Sequence, residues 1–187
     1  MKNKMLTAIL SLMLISALLT IGCSDGGPAQ ISLGTITGCA ECSGQPPQIG
    51  EPATDFQFQT PEGELTSLSD SRGQPVLLNF WATWCSPCRM EMPYLQQIYD
   101  EWQGEGLVLL AINIGESADE ATSFLESRSI TFPVLLDTNY DVAICYYTIS
   151  IPMTFFIDED GIIQYIKVGP FTSLGEIENI VSQLITD

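Results

Sequence analysis

The feature that most constrains the fold is an apolar segment that leads into a pair of closely spaced cysteines. Val76–Trp81 is almost continuously apolar, and the pattern of a helix begins at Ser86. Cys85 and Cys88 lie at the junction between the two. An apolar run of this length suits a strand that is buried on both faces, as in a parallel sheet covered by helices. The sequence therefore predicts a strand–turn–helix unit with two thiols at the turn.

The rest of the pattern extends this unit into an alternating α/β domain. Further strands are predicted at 107–114, 132–136, 153–157 and 162–168, and helices at 86–103, 117–127, 140–147 and 173–185. Phe56 and Phe58 alternate with polar residues and predict an N-terminal β extension. The alternation favours a central mixed, mainly parallel sheet flanked by helices, and a hairpin around Asp160-Gly161 adds an antiparallel edge. Ser117 and Ser173 each precede a Glu by three residues, the spacing of a capping box.

The N-terminus has the composition of an export signal. Lys2 and Lys4 are followed by the uncharged, apolar residues 5–22 and then by Cys23. A basic start, an apolar stretch and a small residue before the cleavage point are typical of exported proteins. Gly22-Cys23 resembles a bacterial lipobox, which implies a lipid on Cys23, and an uncleaved anchor helix or a soluble secreted form are the alternatives. All three interpretations place the protein outside the cytoplasm.

Composition divides the chain into three parts. We interpret residues 1–23 as the signal, lipoprotein or anchor segment, residues 24–52 as a flexible linker, and residues 53–187 as one globular domain. The chain after Cys23 holds four basic and 23 acidic residues. Such an acidic surface repels nucleic acid and anionic lipid head groups, so we expect no nucleic-acid partner. We further expect a monomer.

Cysteine is the main reactive residue, because the chain has six cysteines and no histidine. Without imidazole bases or ligands, we expect no metal and no cofactor. Cysteines outside the cytoplasm usually form disulfides. The linker holds Cys39 and Cys42, which we interpret as a small local disulfide or as an auxiliary redox pair that swings on the tether. Cys145 lies in an apolar stretch and is predicted to be a buried free thiol.

The position of Cys85 and Cys88 at a helix N-terminus favours thiol–disulfide exchange. Backbone N–H groups of the first turn lack partners and carry partial positive charge, so they stabilise a thiolate and lower the pKa of Cys85. Cys85 is therefore the predicted exposed nucleophile, and Cys88 can resolve the mixed disulfide that forms there. Pro87 lacks an N–H and removes one donor from this turn. A structural disulfide or half of a metal site is the alternative.

The chain resembles the extracytoplasmic thioredoxins of the TlpA/ResA/CcmG type. The similarity covers about residues 50–185 and rests on the segments 79–88, 113–117, 132–137 and 151–155. The resemblance implies a thioredoxin-like fold and a redox-active Cys85–Cys88 pair. It also implies a cis Pro152 that faces the dithiol and an Ile151 backbone that pairs with substrate, and we expect Trp84 and Pro87 to border the same surface. Met153 departs from the Thr that is usual there.

Glu91 is the third predicted catalytic residue. It follows Cys88 by three residues, so the two side chains are neighbours on one face of the predicted helix. A carboxyl at this place could carry a proton to and from Cys88 during exchange. The ResA-like branch has Glu at the matching position, and Asn79 stands where ordinary thioredoxins have a buried Asp. The alternative is a solvated carboxylate, paired with Arg89 or unpaired.

The resemblance implies a reductase of protein disulfides outside the cytoplasm. For the ResA and CcmG relatives, the implied substrates are apocytochrome c cysteines before haem attachment, with electrons from a membrane thiol carrier. A general disulfide oxidant or isomerase is the first alternative. A peroxidase is disfavoured, because Leu78 and Ala82 stand where a peroxiredoxin has Pro and Thr or Ser ahead of its cysteine. A metal-binding module is disfavoured by the absence of histidine.

Overall fold

The computed structural model describes residues 31–39, 42 and 44–186, so the predicted signal segment with Cys23 lies outside the described residues. The strands are β1 Leu33–Cys39, β2 Phe56–Gln59, β3 Leu65–Ser67, β4 Val76–Trp81, β5 Val108–Ile114, β6 Val134–Asp137, β7 Met153–Ile157 and β8 Ile163–Val168. The helices are α1 Ser86–Trp102, α2 Ala118–Arg128, α3 Asp141–Cys145 and α4 Leu174–Thr186. None of these described helices has the length and apolar composition needed to cross a membrane.

The strands form one mixed sheet in the order β3-β2-β1-β6-β5-β4-β7-β8. The four central strands β1, β6, β5 and β4 run parallel, while β2 and β3 on one side and β7 and β8 on the other are antiparallel to their neighbours. The predicted α/β sheet with an antiparallel C-terminal hairpin and an N-terminal β extension is confirmed. The parallel part is confined to the four central strands.

Strand β1 corrects the predicted boundary between linker and domain. Leu33–Cys39 lies within the segment that composition assigned to the flexible linker, yet it is hydrogen-bonded between β2 and β6. Gly34 contributed to that linker-like composition, but a Cβ at this position would lie 2.5 Å from the Gln59 carbonyl oxygen and 2.6 Å from a Leu135 methyl group. The close approach of neighbouring strands requires glycine there. Within the described residues, the sheet therefore begins at Leu33.

Strand β4 is the centre of the core and the platform for the cysteine pair. All six residues of Val76–Trp81 are buried, as the apolar run predicts. Phe80 packs against Tyr146 and Phe155 with ring centroids 5.3 and 5.9 Å apart. Burying each such side chain contributes roughly 1.5–3 kcal/mol. The end of β4 is consequently held rigidly, and the turn that follows it starts from a fixed position.

Helix caps differ in how well the sequence predicted them. The capping box of Ser117 and Glu120 is present at the start of α2. At the start of α4, Glu176 accepts the backbone N–H of Thr172 at 3.0 Å, one residue before the predicted Ser173. The carboxylate also pairs with Lys167 on β8. This second contact fixes α4 to the hairpin as well as to its own first turn.

Candidate active site

The turn between β4 and α1 joins Cys85 and Cys88 in a disulfide. Cys85 is the N-cap residue of α1, and its sulfur accepts the backbone N–H of Cys88 at 3.2 Å. Pro87 lies in the first turn, where the missing N–H removes no hydrogen bond within the helix. The predicted placement of the two sulfurs at a helix N-terminus is confirmed.

The disulfide is less accessible than the sequence predicted. Cys85 was expected to be exposed, but it is only 5% exposed, and Cys88 is completely buried. The segment Ile151-Pro152 covers part of the pair, since Cys85 Sγ lies 3.6 Å from the Ile151 carbonyl oxygen. Trp84, just before the pair, is 63% exposed. Cys85 is still the more accessible sulfur of the two, so a substrate that displaces this cover meets Cys85 first.

The Ile151-Pro152 peptide bond is cis, as the resemblance implied. It immediately precedes β7, which pairs with β4 and so carries the loop to the cysteine pair. In the reduced state the Cys85 thiol can donate to the Ile151 carbonyl, which already lies beside its sulfur. Pro152 is buried and Met153 is half-buried. The predicted substrate-facing segment and the dithiol therefore adjoin each other.

Glu91 is buried in the interior, on the same helix as Cys88. The side chain is 0% exposed, so the alternative of a solvated carboxylate is wrong. Its Oε1 accepts from Asn79 Nδ2, and its Oε2 accepts from the backbone N–H of Phe171, both at 2.9 Å. Asn79 Nδ2 also donates to Thr154 Oγ1 at 2.9 Å. One carboxylate thus connects α1, β4, β7 and the segment before α4.

The buried environment of Glu91 makes its carboxyl easier to protonate than that of an ordinary glutamate. Burial raises the pKa of Glu91 to about 7, although the hydrogen bonds from Phe171 and Asn79 oppose the shift. Both protonation states are therefore populated near neutrality. Arg89 does not pair with this carboxylate, because its guanidinium donates to the Thr83 carbonyl oxygen at 2.9 Å.

Glu116 is a site residue whose role the sequence did not reveal. Its Oε2 accepts the backbone N–H of Thr83 and Asn113 Nδ2, both at 2.7 Å, and its Oε1 accepts the Thr83 hydroxyl. The carboxylate is 5% exposed and ties the turn before Cys85 to the end of β5. The segment 113–117 is part of the family resemblance, but its sequence alone does not predict this contact.

The other three described cysteines, Cys39, Cys42 and Cys145, form a second cluster that we call the cysteine triad. Cys42 and Cys145 are joined by a disulfide, and Cys39 is a thiol. The predicted Cys39–Cys42 pair and the predicted free thiol at Cys145 are therefore both wrong. The reason is tertiary, because α3 packs against β1 and brings the end of one element to the end of the other.

The cysteine triad is also the place where metal ligands lie close together in the described part of the chain. Its three sulfur atoms are within 4.8 Å of one another. Two of them are bonded to each other in the disulfide state, so one thiol is left for a cation. Structural zinc sites use four ligands. The oxidised triad therefore does not supply a metal site, and the expected absence of metals and cofactors stays a prediction.

Comparisons with known proteins agree with this geometry. The AhpC/TSA family model matches residues 49–166. The chain is 40% identical over 124 residues to the thiol-disulfide oxidoreductase ResA of Geobacillus thermodenitrificans, covering 66% of this chain and 71% of that protein. It is 41% identical over 128 residues to the thioredoxin-like protein YneN of Bacillus subtilis, covering 67% and 74%.

Solved structures extend the agreement to the fold. The crystal structure of a candidate thiol:disulfide interchange protein DsbE from Chlorobium tepidum superposes with a TM-score of 0.69 and 28% identity. The match covers 74% of this chain and 99% of that one. The thioredoxin-like fold is thereby confirmed. The chain belongs to the AhpC/TSA family, as a thiol–disulfide oxidoreductase of the ResA type with Cys85 and Cys88 as its C-x-x-C pair.

Proposed function

We propose that this protein is a membrane-tethered, extracytoplasmic reductase of protein disulfides, with apocytochrome c cysteines as its substrate class. The observation that supports the direction is the small number of hydrogen-bond donors beside the Cys85 sulfur. Its sulfur accepts one backbone N–H, from Cys88, and Pro87 has none to offer. Arg89, the basic residue of this turn, donates to the Thr83 carbonyl instead. A dithiol whose reduced form is strongly stabilised is an oxidant, so weak stabilisation supports a reductant.

The proposed reaction begins at Cys85. Its thiolate attacks one sulfur of the substrate disulfide, and the other substrate sulfur leaves as a thiolate that takes up a proton. Cys88 then attacks the Cys85 sulfur of the mixed disulfide and releases the second substrate thiol. The substrate gains two electrons and two protons, and the Cys85–Cys88 disulfide forms. A membrane dithiol carrier would return the enzyme to its reduced form.

Glu91 is proposed to supply the base for the second step. Cys88 is completely buried, so its thiol loses a proton only to a group within the protein or to a bound water. The Glu91 carboxyl, three residues further along the same buried helix face, has a pKa of about 7 and can accept that proton at neutral pH. In the reverse direction the protonated carboxyl returns the proton to Cys88 as the disulfide opens.

The reduction potential tests the proposed direction. Equilibration with defined mixtures of reduced and oxidised glutathione gives the potential of the Cys85–Cys88 pair. We expect a value near that of thioredoxin, about −270 mV, rather than near that of DsbA, about −120 mV. A value close to that of DsbA would replace the proposal with the general oxidant.

Trapping tests the substrate class. In Cys88→Ser the resolving thiol is absent, so the mixed disulfide at Cys85 accumulates. We expect cross-links to peptides with the haem-attachment pattern C-x-x-C-H in their oxidised form. The matched control is Cys85→Ser/Cys88→Ser, which has no nucleophile at this site, so any cross-links at Cys39 or Cys42 remain in it. Equal trapping of unrelated oxidised proteins would leave a general reductase and remove apocytochrome c as the preferred substrate.

The location is proposed from the N-terminal segment. Lys2, Lys4, the apolar residues 5–22 and Cys23 support export followed by lipid attachment. Mass spectrometry of the mature protein should find a lipid on Cys23, and Cys23→Ser should release the protein from the membrane fraction. A mature protein that still carries residues 1–22 would identify an anchor helix instead.

A further inference from the structure

The cysteine triad and the active dithiol lie at the same edge of the sheet. Cys39 is the last residue of β1, and Cys85 follows the end of β4. Strands β1, β6, β5 and β4 are parallel neighbours in that order, so their carboxyl ends share one edge. Three strand spacings of about 4.8 Å separate β1 from β4 by roughly 14 Å. Because β1 holds Cys39 in the sheet, the predicted swinging pair cannot operate as a free tether.

Within the triad, a free thiol adjoins a disulfide. The three sulfurs lie within 4.8 Å of one another, and Cys39 Sγ is 3.7 Å from the Asp55 carbonyl oxygen. Cys145 is 1% exposed, Cys39 is half-buried, and Cys42 is exposed. Thiol–disulfide exchange requires a thiolate that can reach a disulfide sulfur. Cys39 has such a disulfide beside it, and the reaction of the active dithiol does not use any of these sulfurs.

We propose that the cysteine triad is a second thiol–disulfide exchange site, at which Cys39 attacks Cys145 and releases Cys42 as an exposed thiol. The bond between Cys39 and Cys145 forms as the bond between Cys42 and Cys145 breaks. The electron pair leaves on the Cys42 sulfur, which takes up the proton that Cys39 loses. One disulfide and one thiol are present before and after, so the step needs no external oxidant or reductant.

Solvation explains why Cys42 is the sulfur that leaves. A leaving thiolate at Cys42 is exposed to water, whereas one at Cys145 would be buried and unsolvated. A thiol of lower pKa leaves faster. The new bond would join the end of β1 to the end of α3, two elements that already pack together. The released Cys42 could then form a mixed disulfide with a cysteine of a partner protein, at a place separate from Cys85.

Acidic neighbours make the exchange slow at neutral pH. Asp137 at the end of β6, Asp141 on α3 and Asp55 before β2 face Cys39, and Tyr146 lies just after α3. Burial and the three carboxylates raise the pKa of Cys39 to about 11. The thiolate is therefore scarce at pH 7. Its population, and with it the exchange rate, should rise about tenfold per pH unit below that pKa.

The test follows the free thiol from one cysteine to another. The full chain carries Cys85→Ser/Cys88→Ser, so the active dithiol takes no part. After incubation at pH 7, 8 and 9, the protein is quenched in acid, unfolded and labelled with a maleimide. A glutamyl endopeptidase cuts after Glu41, between Cys39 and Cys42, and fragmentation spectra locate the label. We expect the label to move from Cys39 to Cys42. The rate of this movement should rise about tenfold per pH unit and should not depend on protein concentration.

Several outcomes would overturn the proposal. Label confined to Cys39 after prolonged incubation at pH 9 would make the disulfide structural and the thiol a spectator. Label that moves to Cys145 would show the wrong leaving sulfur, and a rate proportional to protein concentration would show exchange between molecules. The matched control is Cys39→Ser in the same background, which lacks the attacking sulfur. Labelling of Cys42 in that variant would contradict the assigned role of Cys39.

Discussion

The two disulfides in the described part of the chain differ in loop length, in nearby hydrogen-bond donors and in the charges around them. Cys85 and Cys88 are 3 residues apart, at a helix N-terminus where a backbone N–H points at the sulfur. Cys42 and Cys145 are 103 residues apart and connect the segment after β1 to α3. Aspartates rather than backbone donors surround the triad's free thiol at Cys39. The surroundings of Cys85 thus favour rapid thiol–disulfide exchange, whereas those of Cys39 slow it.

The reactivity of each sulfur is set by the groups that surround it. At the N-terminus of α1, partial positive charge favours the thiolate. At the triad, carboxylates disfavour the thiolate by repulsion and burial disfavours it by desolvation. The active pair closes a short loop, whereas the triad disulfide closes a long one and so restricts the unfolded chain more. The active dithiol is consequently suited to rapid turnover, and the triad to slow exchange and to stability.

Loss of a cysteine should affect disulfide reduction far more at the active dithiol than at the triad. Cys85→Ser should lower the rate of reduction of a protein disulfide by at least about a thousandfold, because no other sulfur occupies the nucleophile position. Cys42→Ser should keep the rate within about twofold of the parent, since its sulfur lies at another part of the edge. The measurement is steady-state reduction of a model protein disulfide. Comparable losses in both variants would break the distinction between the sites.

Stability should show the opposite ranking. Removal of the long-range bridge in Cys42→Ala/Cys145→Ala should lower the free energy of unfolding by about 5 kcal/mol, whereas Cys85→Ser/Cys88→Ser should lower it by about 2 kcal/mol. The reason is that the first bridge closes a loop of 103 residues and the second a loop of 3. Urea denaturation of the oxidised proteins gives both values. Equal losses would show that loop length does not explain the difference.

The raised pKa of Glu91 should make the free energy of unfolding depend on pH. Its pKa is raised from 4.5 to about 7 in the folded state, so folding binds a proton more tightly there. The contribution of Glu91 to the free energy of unfolding is complete below about pH 4.5 and is lost as pH rises through about 7. The free energy of unfolding should therefore fall by about 3 kcal/mol over this range. Comparing urea denaturation of the parent and Glu91→Gln across this range isolates the effect.

The same variant tests the proton transfer. Glu91→Gln cannot titrate, so the inflection near pH 7 in the rate of substrate reduction should disappear along with the pH dependence of stability. Glu126→Gln, on the exposed side of α2, is the matched control and should retain both. An unchanged rate profile in Glu91→Gln, together with the altered stability profile, would assign Glu91 to structure and remove it from catalysis.

The sequence predicted the active site better than the cysteine triad because their determinants lie at different ranges. Cys85 depends on the strand before it and the helix after it, and Glu91 depends on helical spacing from Cys88. These relations are local and periodic. The pairing of Cys42 with Cys145 depends on how α3 packs on β1, which no spacing encodes.

Two other features, strand β1 and the role of Glu116, could not be predicted from the sequence for the same reason. Leu33–Cys39 has a composition that suggests a linker, and it becomes a strand only because β2 and β6 offer edges on both sides. Glu116 is an ordinary acidic residue in the sequence, and its function comes from the Thr83 turn that folds onto it. Local sequence patterns therefore do not identify residues whose role depends on a contact with a distant part of the chain.

The acidic neighbours of Cys39 should have a small effect on its reactivity. Asp141 is exposed, so solvent screens its repulsion, and an interaction of about 0.5 kcal/mol is reasonable. Asp141→Asn should therefore lower the pKa of Cys39 slightly and raise its rate of alkylation by iodoacetamide about twofold at pH 8. Peptide mass spectrometry follows the label on Cys39 over time.

Asp119→Asn provides the control, because it removes the same charge from an exposed position at the start of α2. If repulsion within the triad restrains Cys39, only Asp141→Asn should accelerate alkylation, and added salt should diminish the difference between the two variants. Equal rates in the two variants at low salt would mean that burial alone keeps Cys39 unreactive. The difference in reactivity would then have two causes, the burial of Cys39 and the helix N-terminus at Cys85. The aspartates around Cys39 would not contribute to it.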